Sequence, residues 1–229
     1  MIEAPPQSIL LASSAPGGLS LLKQIGWMFE TMSPDVDESL LAGEAPEEYV
    51  ERLSKTKADA GLIRRPTYVV IAADTVVTHG GEVLGKPKNQ ADGVRMLMRL
   101  SGSTHRVLTG VTVASAADTK TKVVASDVSF RAVSAAEAQA YWRTKEPADK
   151  AGGYGLQGVG SIFVEKIHGS PSAVIGLPML ETELPSSHPS YPNLCISGHF
   201  CSSIYTPIRF QLQTLNKFFQ SDKRSKQSP

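Results

Sequence analysis

Thr67-Tyr68-Val69-Val70-Ile71-Ala72-Ala73-Asp74-Thr75, "TYVVIAADT", is apolar almost without interruption until it reaches a carboxylate. A strand covered on both faces reads this way, and such strands belong to sheets with helices above and below. The flanking sequence agrees. Residues 8–12 form a second short apolar run. Pro16 then opens a helix that is expected to reach Ile25 and stop at Gly26. Pro46 opens another, to about Gly61, with Tyr49, Leu53 and Ala60 inward and Lys57 near the same edge. Between these helices, residues 31–44 are acidic and read as loop. The apolar strand is expected to end at Asp74-Thr75, with Val76-Val77 leading through His79-Gly80-Gly81 into a hairpin.

Downstream, Asn89 is placed to cap a helix whose stripe is Val94, Leu97 and Met98. Residues 107–114 and 122–132 read as two long strands. Ser134 and Glu137 have the spacing of a capping box for a helix over 135–144. The stretch "EPADKAGGYGLQGVG" (residues 146–160) is rich in glycine, which marks backbone approached closely by something else. A strand over 161–167 and an apolar run over 173–178 close the pattern. Helices and strands interleave throughout, which predicts an α/β domain.

The texture changes after Pro178. Pro185, Pro189, Pro192 and Pro207 among many serines read as linker. We therefore expect one domain over 1–180 and a largely disordered tail over 181–229, with a helix at 207–220. The 229 residues suffice for one domain with an appendage. Charged residues make up 20% and the net charge is +1, which argues against a nucleic-acid coat. No run approaches the ~18 apolar residues of a membrane span. The N-terminus lacks a basic segment of the signal-peptide type. Cys195 and Cys201 lie late in the chain, so no disulfide framework holds the first part. Their spacing with His188 and His199 matches no zinc pattern, and no metal is expected there.

Asp74 is the first candidate for chemistry. It stands at the carboxyl end of a buried strand, where open α/β sheets bind ligands. A buried acid there needs a metal, a base or strong hydrogen bonds; the competing reading is an Asp that forms a turn. Lys57 and Lys86 are basic candidates that, taken alone, read more readily as solvated lysines than as phosphate ligands. Glu38 lies in an acidic loop and could help hold a divalent ion. Gln157 follows Tyr154-Gly155 and could read both donor and acceptor edges of a base, or merely sit in a turn. The turn Ser13-Ser14-Ala15-Pro16-Gly17-Gly18 precedes a helix and aims backbone N–H groups outward, as anion sites do.

Together, "LLASSAPGGLSLLKQIG", "EEYVERLSKTKADAG", "VVIAADTVVTHGGEVLGKPK", "DVSFRAVSAAEAQAYW" and "EPADKAGGYGLQGVGSIFVEKIHGSPSAVIGLP" resemble the Maf family of nucleotide pyrophosphatases. The resemblance implies a two-lobed α/β fold of the Maf/ITPase type, an elongated mixed sheet flanked by helices around a nucleotide cleft, usually dimeric. It implies cleavage of nucleoside triphosphates between the α and β phosphates, with Mg²⁺ or Mn²⁺. Asp74 matches the family's catalytic acid, which takes a proton from the attacking water and shares a metal with Glu38. Ser13, Gly17, Gly18, Lys57, Thr75, Lys86 and Gln157 stand at substrate-binding positions. Asp74-Thr75 and Gly155-Leu156-Gln157 resemble the branch that prefers dTTP and UTP. A cytoplasmic protein acting on free nucleotides, with neither nucleic-acid nor membrane partners, is implied.

The resemblance breaks in two places. The family writes its first motif Ser-x-Ser-Pro-Arg-Arg; here Gly17 and Gly18 replace both arginines. Charge-assisted phosphate bonds contribute roughly 1.5–3 kcal/mol each, so this departure implies weakened catalysis or a nucleotide-binding pseudoenzyme. The tail from about Leu180 does not resemble the family at all, as in a truncated isoform.

Overall fold

The computed structural model describes residues 8–182. The opening stretch forms β3 (Val69–His79), the central strand of a seven-stranded mixed sheet. The order is β2-β1-β3-β5-β6-β7, where β1 is Ile9–Ala12, β2 Glu30–Met32, β5 Thr104–Ala114, β6 Thr119–Phe130 and β7 Val164–His168. Strand β4 (Glu82–Leu84) also pairs with β3. β1 runs parallel to both β2 and β3, and the other pairings are antiparallel.

Alternation along β3 sorts the helices onto two faces. Val70 and Ala72 pack with Ala58, and Val76 with Val50; both partners belong to α2 (Pro46–Arg64). On the opposite face Val69 and Ile71 pack with Leu21 and Leu22 of α1 (Pro16–Gln24). Val77 packs there with Met96 and Leu97 of α3 (Gln90–Leu100) and with Tyr141 of α4 (Ala135–Arg143). Helix α2 buries Val50, Leu53, Ser54, Lys57, Ala58 and Gly61, a stripe at helical spacing. Two glycines set its height above the sheet. A Cβ on Gly61 would come within 2.6 Å of Val70 Cγ1, and one on Gly110 of β5 would overlap the Val50 carbonyl oxygen.

The caps read from sequence are in place. The Asn89 side chain accepts from the Asp92 N–H, and Ser134 and Glu137 form their reciprocal box. Several expectations change. β3 does not end at Asp74 but runs to His79, because β5 pairs with it along that length. The stretch read as loop from residue 31 begins inside β2, a three-residue edge strand held by β1 rather than by its own pattern. The strand expected over 161–167 starts as a 3₁₀ turn (Val159–Phe163) before β7. The run over 173–178 is partly a short helix, α5 (Pro171–Ile175), with Ser170 accepting from the Ala173 N–H. Met98 leaves the expected α3 stripe, 39% exposed, while Met96 and Leu100 take the inward positions. The tail over 181–229, with its helix at 207–220, lies almost wholly outside the described residues.

Candidate active site

Strand register opens a gap in the middle of the sheet. Leu11 of β1 stands opposite Ile71, and Ala12 ends that strand. Pairing on the same edge of β3 resumes only where Val77 meets Leu84 of β4. Between them the edge of β3 around Asp74 and Thr75 has β5 on one side and no strand on the other. The Ser13–Gly18 turn leaves β1 at one end of this gap, and Lys86 follows β4 at the other.

Asp74 points to the α2 face, like Val70, Ala72 and Val76. Its partner in register on β5 is Gly110, the residue that lets α2 settle closely on the sheet. That height brings Lys57 to Asp74. The Lys57 Nζ donates to Asp74 Oδ1 at 2.5 Å and pairs with Glu38 Oε1 at 2.6 Å. The reading of Lys57 as a solvated lysine is thus overturned, since its side chain is only 9% exposed. Burial pulls the Lys57 ammonium down, but the carboxylates of Asp74 and Glu38 outweigh it and hold its pKa above the ordinary lysine value. Burial pushes Asp74 up, and Lys57 counters this while Glu38 adds to it; the net direction is upward. For Glu38 burial also pushes up, yet Lys57 and the charge of Lys86 overcome it and leave Glu38 low.

The loop bearing Glu38 is fastened to α2. Arg52 donates from Nε and Nη2 to the two carboxylate oxygens of Glu44 at 2.5 and 2.7 Å, and from Nη2 to the Ser39 carbonyl at 3.0 Å. Tyr49 donates its hydroxyl to the Glu38 carbonyl at 2.8 Å. Burial, then the charges of Asp74 and Glu38, push that phenol up to about 12. Sequence reading placed Tyr49 in the core and missed this contact. Its position two helical turns before Lys57 on the same α2 face was the available signal.

Thr75 lies on the opposite face from Asp74 and bonds across the sheet to Thr109 Oγ1 at 2.9 Å. Thr109 in turn donates to the Ala173 carbonyl of α5 at 2.8 Å. The same α5 segment meets α1: a Cβ on Gly17 would overlap the Ile175 carbonyl oxygen, whereas one on Gly18 would sit 3.7 Å from Leu177 Cβ. Ser13 Oγ accepts from the Ala15 N–H at 3.1 Å. Ala15 offers no capping side chain to α1. The N–H groups of its first turn therefore remain available to an anion. Lys86 is exposed, and its charge reaches both Glu38 and Asp74. Gln157 is exposed on the glycine-rich loop, whose Gly152 N–H bonds to the Gly85 carbonyl beside Lys86 at 3.0 Å. No hydrogen bond joins Gln157 to Asp74 among the described residues.

The model of the Maf-like protein family matches residues 8–184. The chain is 48% identical over 176 residues to a dTTP/UTP pyrophosphatase of Vibrio cholerae serotype O1, covering 76% of this chain and 94% of that protein. It is 46% identical over 191 residues to a dTTP/UTP pyrophosphatase of Pseudoalteromonas atlantica, covering 82% of this chain and all of that protein. Among solved structures, the Staphylococcus aureus Ham1 protein matches 54% of this chain and 71% of its own at 18% identity and a TM-score of 0.37. With a family model spanning most of the chain and relatives this similar over nearly their whole length, the chain belongs to the family of Maf-like proteins.

Proposed function

We propose that this protein hydrolyses dTTP and UTP to the nucleoside monophosphate and pyrophosphate at the gap in its sheet. One observation carries the reading: a buried Lys57 bridging Asp74 and Glu38 at the stretch of β3 that, among the described residues, pairs with neither β1 nor β4. The names of the curated relatives support it.

Asp74 is the base. Its raised proton affinity suits it to take a proton from water, and Lys57 fixes the carboxylate through Oδ1. Lys86 and the α1 N-terminus neutralise the triphosphate. Glu38 and Asp74 fit a divalent cation. Each gives one oxygen to Lys57, and the second makes no hydrogen bond among the described residues. Two carboxylates plus phosphate oxygens and water is a usual magnesium set. No cluster of three acids, histidines or cysteines stands among the described residues, and a cation held by Glu38 and Asp74 would need substrate or water oxygens as further ligands. A bound Mg²⁺ or Mn²⁺ would neutralise charge on the phosphate oxygens. Gln157 meets the mixed donor–acceptor edge of uracil or thymine, and Thr75 lines the gap from the opposite face. In this reading the protein is a cytoplasmic homodimer acting on free nucleotides. Among the described residues no helix is long and apolar enough to cross a membrane.

The second reading is a nucleotide-binding protein with impaired catalysis. The packing of Gly17 on Ile175 favours it, because that seat leaves no room for a phosphate-clamping side chain. Pyrophosphate release from dTTP, UTP, CTP and 7-methyl-GTP with Mg²⁺ or Mn²⁺ separates the two. Turnover of dTTP and UTP that disappears in Asp74→Asn is expected. Binding without turnover supports the second reading, and turnover indifferent to Asp74→Asn refutes the assignment of the base.

A further inference from the structure

The loop that carries Gln157 lies between two 3₁₀ turns, Ala151–Gly153 and Val159–Phe163, with no strand or α-helix to stiffen it. The Gln157 side chain makes no hydrogen bond among the described residues, so its position follows from the backbone beneath it. One carboxylate holds that backbone. Glu146 Oε1 accepts from the Tyr141 hydroxyl at 2.7 Å and from the Gly160 N–H at 3.0 Å. Glu146 Oε2 accepts from the Val159 N–H at 2.8 Å. The Tyr141 oxygen accepts in turn from the Gly155 N–H at 3.0 Å. Residue 155 is thereby tied to residues 159 and 160 through two side chains, and Leu156, Gln157 and Gly158 form the arch between.

We infer that Glu146 is the positioning residue for base recognition: clamped between the two ends of the 155–160 loop, its carboxylate sets where Gln157 meets the pyrimidine. The inference rests on the pyrimidine reading of Gln157 given above. The surroundings are built for a carboxylate at this point. A Cβ on Gly158 would overlap Glu146 Oε2, one on Gly155 would lie 3.0 Å from Oε1, and one on Gly160 would lie 2.5 Å from the Tyr141 oxygen. Lys145, the one residue other than glycine with positive φ among the described residues (φ 64°), turns the chain just before Glu146. That conformation costs about 1 kcal/mol. Burial pushes Glu146 up, but the bonds from Tyr141, Gly160 and Val159 outweigh it and keep the group ionised at neutral pH. An ionised acceptor holds amide donors roughly twice as strongly as a neutral one. Tyr141 itself is anchored edge-on to Phe163 at 5.2 Å, which joins the clamp to the core.

The test compares dTTP with dATP, whose base presents a different edge, in wild type, Gln157→Ala, Glu146→Ala and the double variant. Misplacing a recognition group by about 1 Å costs up to about 100-fold. Glu146→Ala is expected to lower kcat/KM for dTTP about 10- to 100-fold, chiefly through KM, and to change dATP about threefold or less. The double variant is expected to be no worse than Gln157→Ala, because both remove one function. Glu146→Gln keeps an acceptor for Tyr141 and Gly160 but turns an NH₂ toward Val159, so it falls between wild type and Glu146→Ala; it also decides the matter should the alanine variant not fold. A kcat loss equal for dTTP and dATP, with their ratio preserved, overturns the inference while leaving the pyrimidine reading intact. A wild type that does not prefer dTTP over dATP overturns that reading, and the inference with it.

Discussion

Adjacent glycines at the start of α1 are expected to respond to the same substitution with opposite signs. At Gly17 an added Cβ overlaps the Ile175 carbonyl oxygen and comes to 3.0 Å from Ile175 Cγ2. The obstacle is backbone, so α1 or the α5 turn must shift, and overpacking of this kind costs about 1–3 kcal/mol. At Gly18 the same atom meets only Leu177, at 3.7 and 3.9 Å, which is ordinary contact. There the helix gains from losing a flexible residue, by about 0.5–1 kcal/mol. Gly17→Ala and Gly18→Ala should therefore separate by about 1.5–4 kcal/mol. With a urea slope of about 2 kcal/mol per molar, their midpoints differ by about 0.8–2 M. Urea unfolding followed by tryptophan fluorescence measures this directly. Coincident midpoints, or Gly17→Ala the more stable, would refute the argument that α1 is seated on the Ile175 carbonyl. The same contrast bears on restoration of a phosphate clamp: a side chain at Gly18 starts from a Cβ in ordinary contact, so Gly18→Arg is expected to be the better tolerated of the two and to raise a weak dTTPase rate, whereas Gly17→Arg should cost folding stability first.

Gly110→Ala drives a Cβ into the Val50 carbonyl; it should cost about 1–3 kcal/mol by lifting α2, and should lower dTTP turnover by carrying Lys57 away from Asp74, as chemical denaturation and a pyrophosphate assay will report. His105 is 2% exposed, with Nε2 2.8 Å from the Tyr154 hydroxyl and Nδ1 unpartnered; burial, then the charge of His79, lowers its pKa to about 4. The unfolded chain binds that proton near pH 6.5, so stability should be full above this pH and fall by about 3 kcal/mol as pH drops to 4. His105→Gln should flatten the fall seen in urea midpoints, and an unaltered slope would count against the assignment. Asp74 must be ionised to act, and burial raises its pKa. In the metal-free protein the Asp74 carboxyl should then titrate above the ordinary Asp value, the ionised form needed for catalysis being gained as pH rises through that point; an NMR titration of the metal-free protein that places it at or below the ordinary value would count against the burial argued for this carboxylate.

Much of the scaffold was legible because its signals are local. The run at 67–75, the prolines at 16 and 46, Asn89 and the Ser134–Glu137 pair each announce an element within a few residues. β2 was not legible: Glu30 and Thr31 are exposed and the strand exists only because β1 offers an edge. The continuation of β3 past Asp74 was hidden for the opposite reason, since a carboxylate in mid-strand reads as a terminus unless the gap beside it is known. Asp74 and Gln157 could be singled out by type and place. The Lys57–Asp74 pair could not, because it depends on how closely α2 approaches β5, and that height is set by Gly110. Glu146 gave no signal at all; its role comes from three backbone or hydroxyl donors that converge only in the folded chain.

An opening inside a sheet is also an exposure of unpaired backbone, the surface on which foreign strands add and proteins aggregate. Here the gap is confined to the few residues of β3 between the end of β1 and the start of β4. It is bordered by Asp74 and Lys86, and α2 overhangs it on one face. A stretch that short gives an incoming strand too few partners to offset the entropy of ordering it. The interruption proposed as the nucleotide site is thus brief enough, and charged enough, to stay closed to the polymeric partners that a longer open edge would admit.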